Sequence, residues 1–392
     1  MRTVGVTGTN GKTSTTTFVA AALGELARPV ACVTTVGFRL DDQSITDLPA
    51  SHEGFLALMQ RVEALGGRFA AVEYTSESLA RGYARKWPAE IAIFTNLTHD
   101  HLDAHGSPEH YLASKAQLFM ALPRGGTAVL NAGDPASELL AEVVPEGVRV
   151  LRYAVPSRGE AQADVIARRV SLSFEGTRVE LESTLPGMPS VVTTRAIGDV
   201  FAENALAALL GAVAAGVPPD AAARAIANAA PPPGRFQVIA ERPWVVIDYA
   251  HSPDALARTL AAARALTTAR LHVVFGAGGN RDKNKRAPMG EAASLADRVT
   301  LTTDNARSED PAAIAAAIRV GVKPSVDLRI ELDRRRAIEQ AIAEAGHDDV
   351  IVIAGKGHEP YQEINGIRHP FSDVEQTRAA LETWNDAQGE LS

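Results

Sequence analysis

Short runs of β-branched and other apolar residues alternate along the chain with segments whose apolar residues recur at helical spacing. "RTVGVTG" reads as a strand running into a glycine turn, and "KTSTTTFVAAALGELA" as the helix after it. "PVACVTTVG" is a second strand, and "HEGFLALMQRVEALGG" has helical spacing closed by a Gly-Gly stop. "RFAAVEYTS" and "IAIFTNLT" predict further strands with the helix "SLARGYARKW" between them. The helix "EHYLASKAQLFMAL" and the strand "GTAVLNAGD" continue the alternation. Such a pattern predicts a mostly parallel sheet covered by helices on both faces. Residues 163–195 break it: "DVIARRVSLSFEGTRVELESTLPG" predicts short antiparallel strands around a glycine turn.

Two helices follow, "ENALAALLGAVAAGV" and "PDAAARAIANA", and then the proline run "APPPGRF" at 230–236, the best linker in the chain. The alternation restarts beyond it, with strands "WVVIDYA", "RLHVVFGAGG", "RVTLTTD" and "DVIVIAGKG" separated by helical segments. The expected organisation is α/β throughout. A mostly parallel P-loop ATPase domain spans residues 1–236, and a smaller Rossmann-like α/β domain spans 237–392.

Composition supports that class. Of 392 residues 46% are apolar, enough for a large core, while 5% are aromatic, which favours α/β layers over a β-sandwich. A net charge of -8 provides no global basic field, so no nucleic-acid partner is expected. The single cysteine, Cys32, can build neither a disulfide framework nor a thiolate metal site. No stretch is long and apolar enough to span a bilayer, and the N-terminal residues break into glycines too early for a signal peptide. The expectation is a cytoplasmic protein with no membrane partner.

The first candidate chemistry is "TGTNGKT", Thr7 to Thr13. The strict P-loop spacing fails, because Gly8 lies too close to Gly11 and Gly5 one residue too far. The physical arrangement survives: strand, glycine turn, Lys12, Thr13, helix. Gly8 and Gly11 let backbone N–H groups close on phosphate oxygens, and the helix N-terminus adds positive potential. Lys12 can neutralise β/γ-phosphates and Thr13 can ligate Mg²⁺. Taken alone, the basic cluster "GNRDKNKR" at 279–286 reads as a solvated loop or an anion site.

"GVTGTNGKT" resembles the ATP loop of the Mur ligases, the ATP-dependent amide-forming enzymes of peptidoglycan assembly, and is most like the MurE type. The likeness runs through "NLTHDHLDAHGSPEHYLASK", "GDVFAENALAAL", "PPGRFQVI", "IDYAHSPDAL", "VVFGAGGNRDKNKR", "TTDNARSEDP" and "IAGKGHEPYQ", in family order. It implies that a carboxylate attacks ATP to give an acyl phosphate, which an amine then attacks. Catalysis of that kind is mostly charge neutralisation and positioning.

The resemblance also implies roles for residues. Gly8, Thr9, Asn10, Gly11, Lys12, Thr13 and Ser14 would hold ATP. Glu73, matching the family's "EVSSH" stretch, and His101, in "THDHLD", would hold Mg²⁺ with Thr13. By pattern alone Glu73 is a solvated strand-end residue, and His101 a loop or helix-cap histidine. Lys115 reads as a surface lysine on helical pattern; the resemblance makes it a carbamylated ligand of Mg²⁺, which requires a desolvated, neutral amine. Asn204 reads as a helix N-cap and by resemblance lies near adenine. Arg235 and Asp248 would contact phosphate and ribose, with His251 and the loop Asn280–Arg286 closing over the nucleotide between the domains.

"DNAR" at 304–307 resembles the family's "DNPR" signature for diaminopimelate addition. Arg307 would pair with the distal carboxylate and Glu359, in "GKGHE", with the distal ammonium. Arg281, Asp304, Asn305 and Gly355 complete the expected substrate set. Ala306 replaces the family's proline, so the turn is less pre-set.

The carrier end departs from the family. "ASHEG" (Ala50–Gly54) and "TSES" (Thr75–Ser78) stand where stretches holding a nucleotide-sugar are expected. Thr75 and Ser76 keep hydroxyls there, but Glu53 and Glu77 add charge that a pyrophosphate would oppose. The family's N-terminal uridine-binding domain is not matched. The expectation is a MurE-like ligase that joins an amino acid to a non-standard carboxylate acceptor, peptide or peptide-like, as a monomer or with a partner subunit. Other readings are a muramoyl-precursor ligase completed by a partner, a folylpolyglutamate- or cyanophycin-synthetase-like ligase, and a non-catalytic nucleotide-binding scaffold.

Overall fold

The computed structural model describes residues 1–97, 108–155 and 161–389. These form two compact units. The first comprises residues 1–171, 175–195 and 199–232, the second 172–174, 196–198 and 233–392.

In the first unit, β1 (Arg2–Thr7), β2 (Val30–Thr34), β3 (Gly37–Leu40), β4 (Gln43–Ile45), β5 (Phe69–Glu73) and β6 (Ile91–Phe94) lead into β7 (Thr127–Asn131) and β8 (Arg149–Ala154). β9 (Val165–Ser173), β10 (Gly176–Ser183) and β11 (Val191–Thr194) complete one sheet, ordered β11-β10-β9-β8-β7-β6-β1-β5-β2-β3-β4. From β2 through β5, β1, β6, β7 and β8 to β9 every pairing is parallel. β10 and β11 pair antiparallel, within the region where the glycine turn predicts it.

Strands buried on both faces read as continuous apolar runs, and β6 shows why. Ala92 and Phe94 join a core with Leu58, Met59 and Val62 of the helix His52–Ala64 and Leu118 and Phe119 of the helix Pro108–Met120. Ile93 points the other way, close against Gly211 of the helix Asp199–Ala214. That helix also packs on Lys12–Leu23, the helix after the glycine loop.

The second unit holds β12 (Gln237–Ala240), β13 (Trp244–Asp248), β14 (Leu271–Phe275), β15 (Arg298–Leu301), β16 (Asp327–Ile330) and β17 (Val350–Ala354), in the order β12-β13-β17-β14-β15-β16. Only the β12 pairing is antiparallel. A hairpin of β18 (Tyr361–Ile364) and β19 (Ile367–Pro370) stands apart from this sheet.

The pattern-based elements differ from the structure in a few places. "SLARGYARKW" is two short helices, Ser76–Ala80 and Tyr83–Lys86, separated by Gly82 at φ 77°. The hairpin strands β3, β4, β18 and β19 escape the reading because each is only three or four residues long and none is a fully buried apolar run.

Candidate active site

In doubly wound sheets ligands collect at the carboxyl ends of the strands. In the first unit β1, β5 and β6 end side by side, and the chain leaves β1 through Gly8 (φ 152°) and Gly11 (φ 82°) into the helix Lys12–Leu23. Both glycines are required twice over. L side chains avoid these φ values, and an added Cβ would fall on Thr95 Oγ1 at Gly8 or on Asn204 Oδ1 at Gly11. Gly11 offers the helix no side-chain cap, which leaves first-turn N–H groups to face an anion.

β6 fastens the loop from its side. Thr9 N–H donates to the Asn96 carbonyl at 2.7 Å, Asn10 N–H to Asn96 Oδ1 at 2.9 Å, and Thr95 Oγ1 to the Asn10 carbonyl at 2.6 Å. Lys12 Nζ donates to the Thr9 carbonyl at 2.7 Å, which draws its charge over the loop.

Thr13 Oγ1 donates to Glu73 Oε2 at 2.8 Å, and Thr35 N–H approaches the same oxygen at 3.3 Å. Among the described residues no three His, Cys, Asp or Glu side chains gather to hold a metal. Thr13 and Glu73 instead present two hard oxygens, the share a protein supplies when Mg²⁺ keeps waters and phosphate oxygens as its other ligands.

Lys115 is 1% exposed; its Nζ donates to the Gly8 carbonyl at 2.8 Å and lies 4.1 Å from the centre of the Tyr111 ring. Burial pushes its amine well below the usual lysine range, the Lys12 charge pushes the same way, and Glu73 opposes. Asn204 is buried, and its Oδ1, against Gly11, has no hydrogen-bond partner among the described residues.

In the second unit, the chain emerging from β15 and β17 builds a polar cluster. Asn305 Nδ2 donates to Glu359 Oε2 at 2.9 Å. Gly355, at φ 114°, comes so close to Asp304 that a Cβ would meet Asp304 Oδ2 at 2.5 Å. Arg307 takes φ 52° and donates from its guanidinium to the Gly279 carbonyl at 2.7 Å, with Glu363 Oε2 at 3.5 Å from Nε. Arg281 is exposed.

The basic cluster is an ordered loop folded on an acid. Arg286 is buried and donates to both Glu309 oxygens at 3.0 Å, Asn280 N–H donates to Glu309 Oε1 at 2.6 Å, and Lys283 Nζ lies 3.5 Å from Oε2. Those donors, Arg286 first, pull the Glu309 carboxyl down to about 2. Lys285 Nζ donates to the His251 carbonyl at 2.8 Å.

Asp248 is buried and accepts from Phe236 N–H at 2.6 Å, Ala250 N–H at 2.8 Å and Thr259 Oγ1 at 3.0 Å. It has the character of an internal anchor where β13 ends. Arg235 lies 4.6 Å over the Tyr249 ring, and His251 Nδ1 is 2.9 Å from the Tyr249 carbonyl.

Comparison with known proteins agrees with this geometry. The model of the Mur ligase middle domain matches residues 6–212, and that of the Mur ligase glutamate ligase domain residues 234–357. The chain belongs to the Mur ligase family. It is 38% identical over 389 residues to the UDP-N-acetylmuramoyl-L-alanyl-D-glutamate--2,6-diaminopimelate ligase of Pseudomonas aeruginosa, covering 97% of this chain and 78% of that protein. The same-named ligase of Thermosynechococcus vestitus is 38% identical over 388 residues, covering 96% and 76%. A solved structure of a ligase of that name superposes with a TM-score of 0.70 at 34% identity, covering 98% of this chain and 79% of the other. A folylpolyglutamate synthase from Mycobacterium tuberculosis, 22% identical with a TM-score of 0.69, shares the fold. As a Mur ligase of MurE-like type the chain is an ATP-dependent ligase that joins an acid to an amino acid, and the scaffold reading is set aside.

Several single-residue readings change within this Mur ligase frame. Asn204 is interior to the helix Asp199–Ala214 and is no N-cap. Lys115 is a core residue, because the helix that carries it turns that face onto β1 and the loop. Ser51 and Thr75 both cap helices: Ser51 Oγ accepts from Gly54 N–H at 3.2 Å and Thr75 Oγ1 from Ser78 N–H at 3.1 Å. "ASHEG" is thus a helix start with Glu53 in its favourable first turn. Ser76 opens the short helix Ser76–Ala80, and Glu77 pairs with Arg81 on the exposed surface. His101 lies outside the described residues.

Thr35, Asn96, Lys356 and Glu363 escape motif reading. Asn96 alone carries a signal, as a polar residue two positions beyond the apolar strand β6.

Proposed function

We propose that this Mur ligase joins diaminopimelate, an amino acid with a distal zwitterion, to a carboxylate acceptor. The carrying observation is the arrangement after β15 and β17, where the Glu359 carboxylate and the backbone of Arg307 are tied to one network through Asn305, and the Arg307 guanidinium lies beside Glu363. A distal carboxylate suits the guanidinium and a distal ammonium the Glu359 carboxylate. The relatives named as diaminopimelate ligases support this choice.

On this reading the loop N–H groups of residues 8–14 and the Lys12 ammonium bind the phosphates of ATP. Thr13 and Glu73 would hold Mg²⁺, with His101 and a carbamylated Lys115 as further ligands, and the ion would supply neutralisation of phosphate charge. The buried Lys115 amine is suited to carbamylation because only a neutral amine can attack CO₂, forming the N–C bond and releasing a proton to solvent. The acceptor carboxylate attacks the γ-phosphorus and releases ADP. The amino group then attacks the acyl phosphate and phosphate leaves, so one amide forms for each ATP consumed.

The acceptor is proposed to differ from the standard muramoyl dipeptide, because the Ser51 and Thr75 hydroxyls are already engaged in capping helices. A partner subunit completing a muramoyl site is the second reading. The setting is proposed to be cytoplasmic, where ATP is available.

The test measures ADP release with diaminopimelate, lysine and glutamate against a panel of carboxylates that includes the UDP-muramoyl dipeptide. Preference for diaminopimelate over lysine is expected. Release that no amino acid stimulates would sink the proposal, and full activity of the lone chain on the UDP-muramoyl dipeptide would refute the changed acceptor.

A further inference from the structure

Lys356 is fully buried, yet the motif reading gives it no role. Its Nζ donates to Asn305 Oδ1 at 3.1 Å and lies 3.3 Å from Glu359 Oε2. An ammonium has only donors, so whatever amide atom faces it must be the oxygen. Glu363 N–H donates to the same Asn305 oxygen at 2.9 Å, which imposes the same sense. A flipped Asn305 would set its NH₂ against two donors and its oxygen against a carboxylate. With the amide fixed, Asn305 Nδ2 must point at Glu359, and it donates there at 2.9 Å.

Two consequences meet in this network. Glu359 Oε2 is held by Asn305 and Lys356 together, which sets the plane of the carboxylate and the direction of its other oxygen. The backbone of Glu363, tethered through Asn305, accepts from Arg307 N–H at 2.9 Å, and the Glu363 side chain stands 3.5 Å from Arg307 Nε. One buried cation therefore organises the Glu359 carboxylate on one side and, through Asn305 and the Glu363 backbone, the backbone of Arg307 on the other. Arg334 supports the same loops from below. It is buried, paired with Asp373, and donates to the Ala354 carbonyl at 3.0 Å, next to Gly355.

We propose that Lys356 is a positioning residue that sets the spacing of Glu359 and Arg307 and thereby the preference for an amino acid with both charges at its distal end. The inference rests on the diaminopimelate reading above.

The experiment compares wild type with Lys356→Met and Lys356→Gln for KM and kcat with diaminopimelate and with lysine, which lacks the distal carboxylate. Wild type is measured first: no preference for diaminopimelate there is a failure of the functional reading itself. Given that preference, Lys356→Met should raise KM for diaminopimelate roughly tenfold or more, with KM for ATP unchanged and the preference over lysine lost. Lys356→Gln, which keeps a donor toward Asn305, should lie between. Retained preference in Lys356→Met, or an equal loss for both amino acids, overturns the proposal. Glu359 keeps partial contact with solvent, so the variants are expected to fold. If neither does, hydrogen exchange of the Asn305 side-chain amide in the wild type decides: protection supports the proposal, and exchange at the rate of a free amide overturns it.

Discussion

Lys115 shows how much one residue's meaning depends on where its side chain ends. Burial and Lys12 both lower its pKa, which favours the neutral amine that the proposed carbamylation requires. Stripping CO₂ from the buffer should lower kcat, and added bicarbonate should restore it. Lys115→Arg, a permanent cation at that place, should lose activity by roughly a hundredfold or more and show no bicarbonate response. A CO₂-independent wild type would dismiss carbamylation. His272 makes a pH prediction in the second unit. It is buried in β14 beside Thr300 Oγ1 at 2.9 Å, with its pKa lowered from 6.5 to about 3, first by burial and then by Arg298, Arg329 and Arg270 against the opposing Glu344. Between those values the unfolded chain binds the extra proton, so stability rises with pH across that window and falls as pH drops from 6.5 toward 3. Chemical denaturation over that range should show the loss, a few kcal/mol in all, and His272→Asn should flatten it.

Elements carry the next set of expectations. Gly11→Ala meets both a left-handed backbone and Asn204, so it should weaken binding of a fluorescent ATP analogue more than tenfold. Gly82→Ala has an equally positive φ, 77°, but open space around it. It should cost about 1 kcal/mol of stability and leave nucleotide binding alone. Ser51→Ala should likewise cost about 1 kcal/mol, from the lost helix cap, with KM for every substrate unchanged. A raised KM for the acceptor would return "ASHEG" to the carrier site. The long strand–helix alternations are legible because burial on both sheet faces leaves uninterrupted apolar runs, as in β6 and β17. The hairpin of β18 and β19 is not, since each strand is four residues long, β19 is exposed, and β18 turns polar side chains onto neighbouring loops instead of forming an apolar run.

At the scale of the whole molecule, two units with separate cores predict separable behaviour. The first has its core around Phe94 and Leu118, the second around Val274 and Ile353. In calorimetry a non-hydrolysable ATP analogue should raise the transition of the first unit by about 2.7 kcal/mol at a hundred times Kd. Diaminopimelate alone should act on the second. A single transition shifted equally by either ligand would show that the units do not melt separately.

The sequence by itself determined the α/β class, the phosphate loop and the order of the polar motifs. These depend on neighbours a few residues apart: apolar period, glycine φ, and a lysine and threonine following a strand. Only the tertiary structure decided what the buried polar groups do. Lys115 meets Gly8 across 107 residues, Lys356 meets Asn305 across 51, and Thr13 meets Glu73 across 60. A lysine on a helix looks the same in sequence whether it faces water or a loop carbonyl. What separates the two cases is desolvation and the partner supplied by a distant strand, and both arise only when the sheet is assembled.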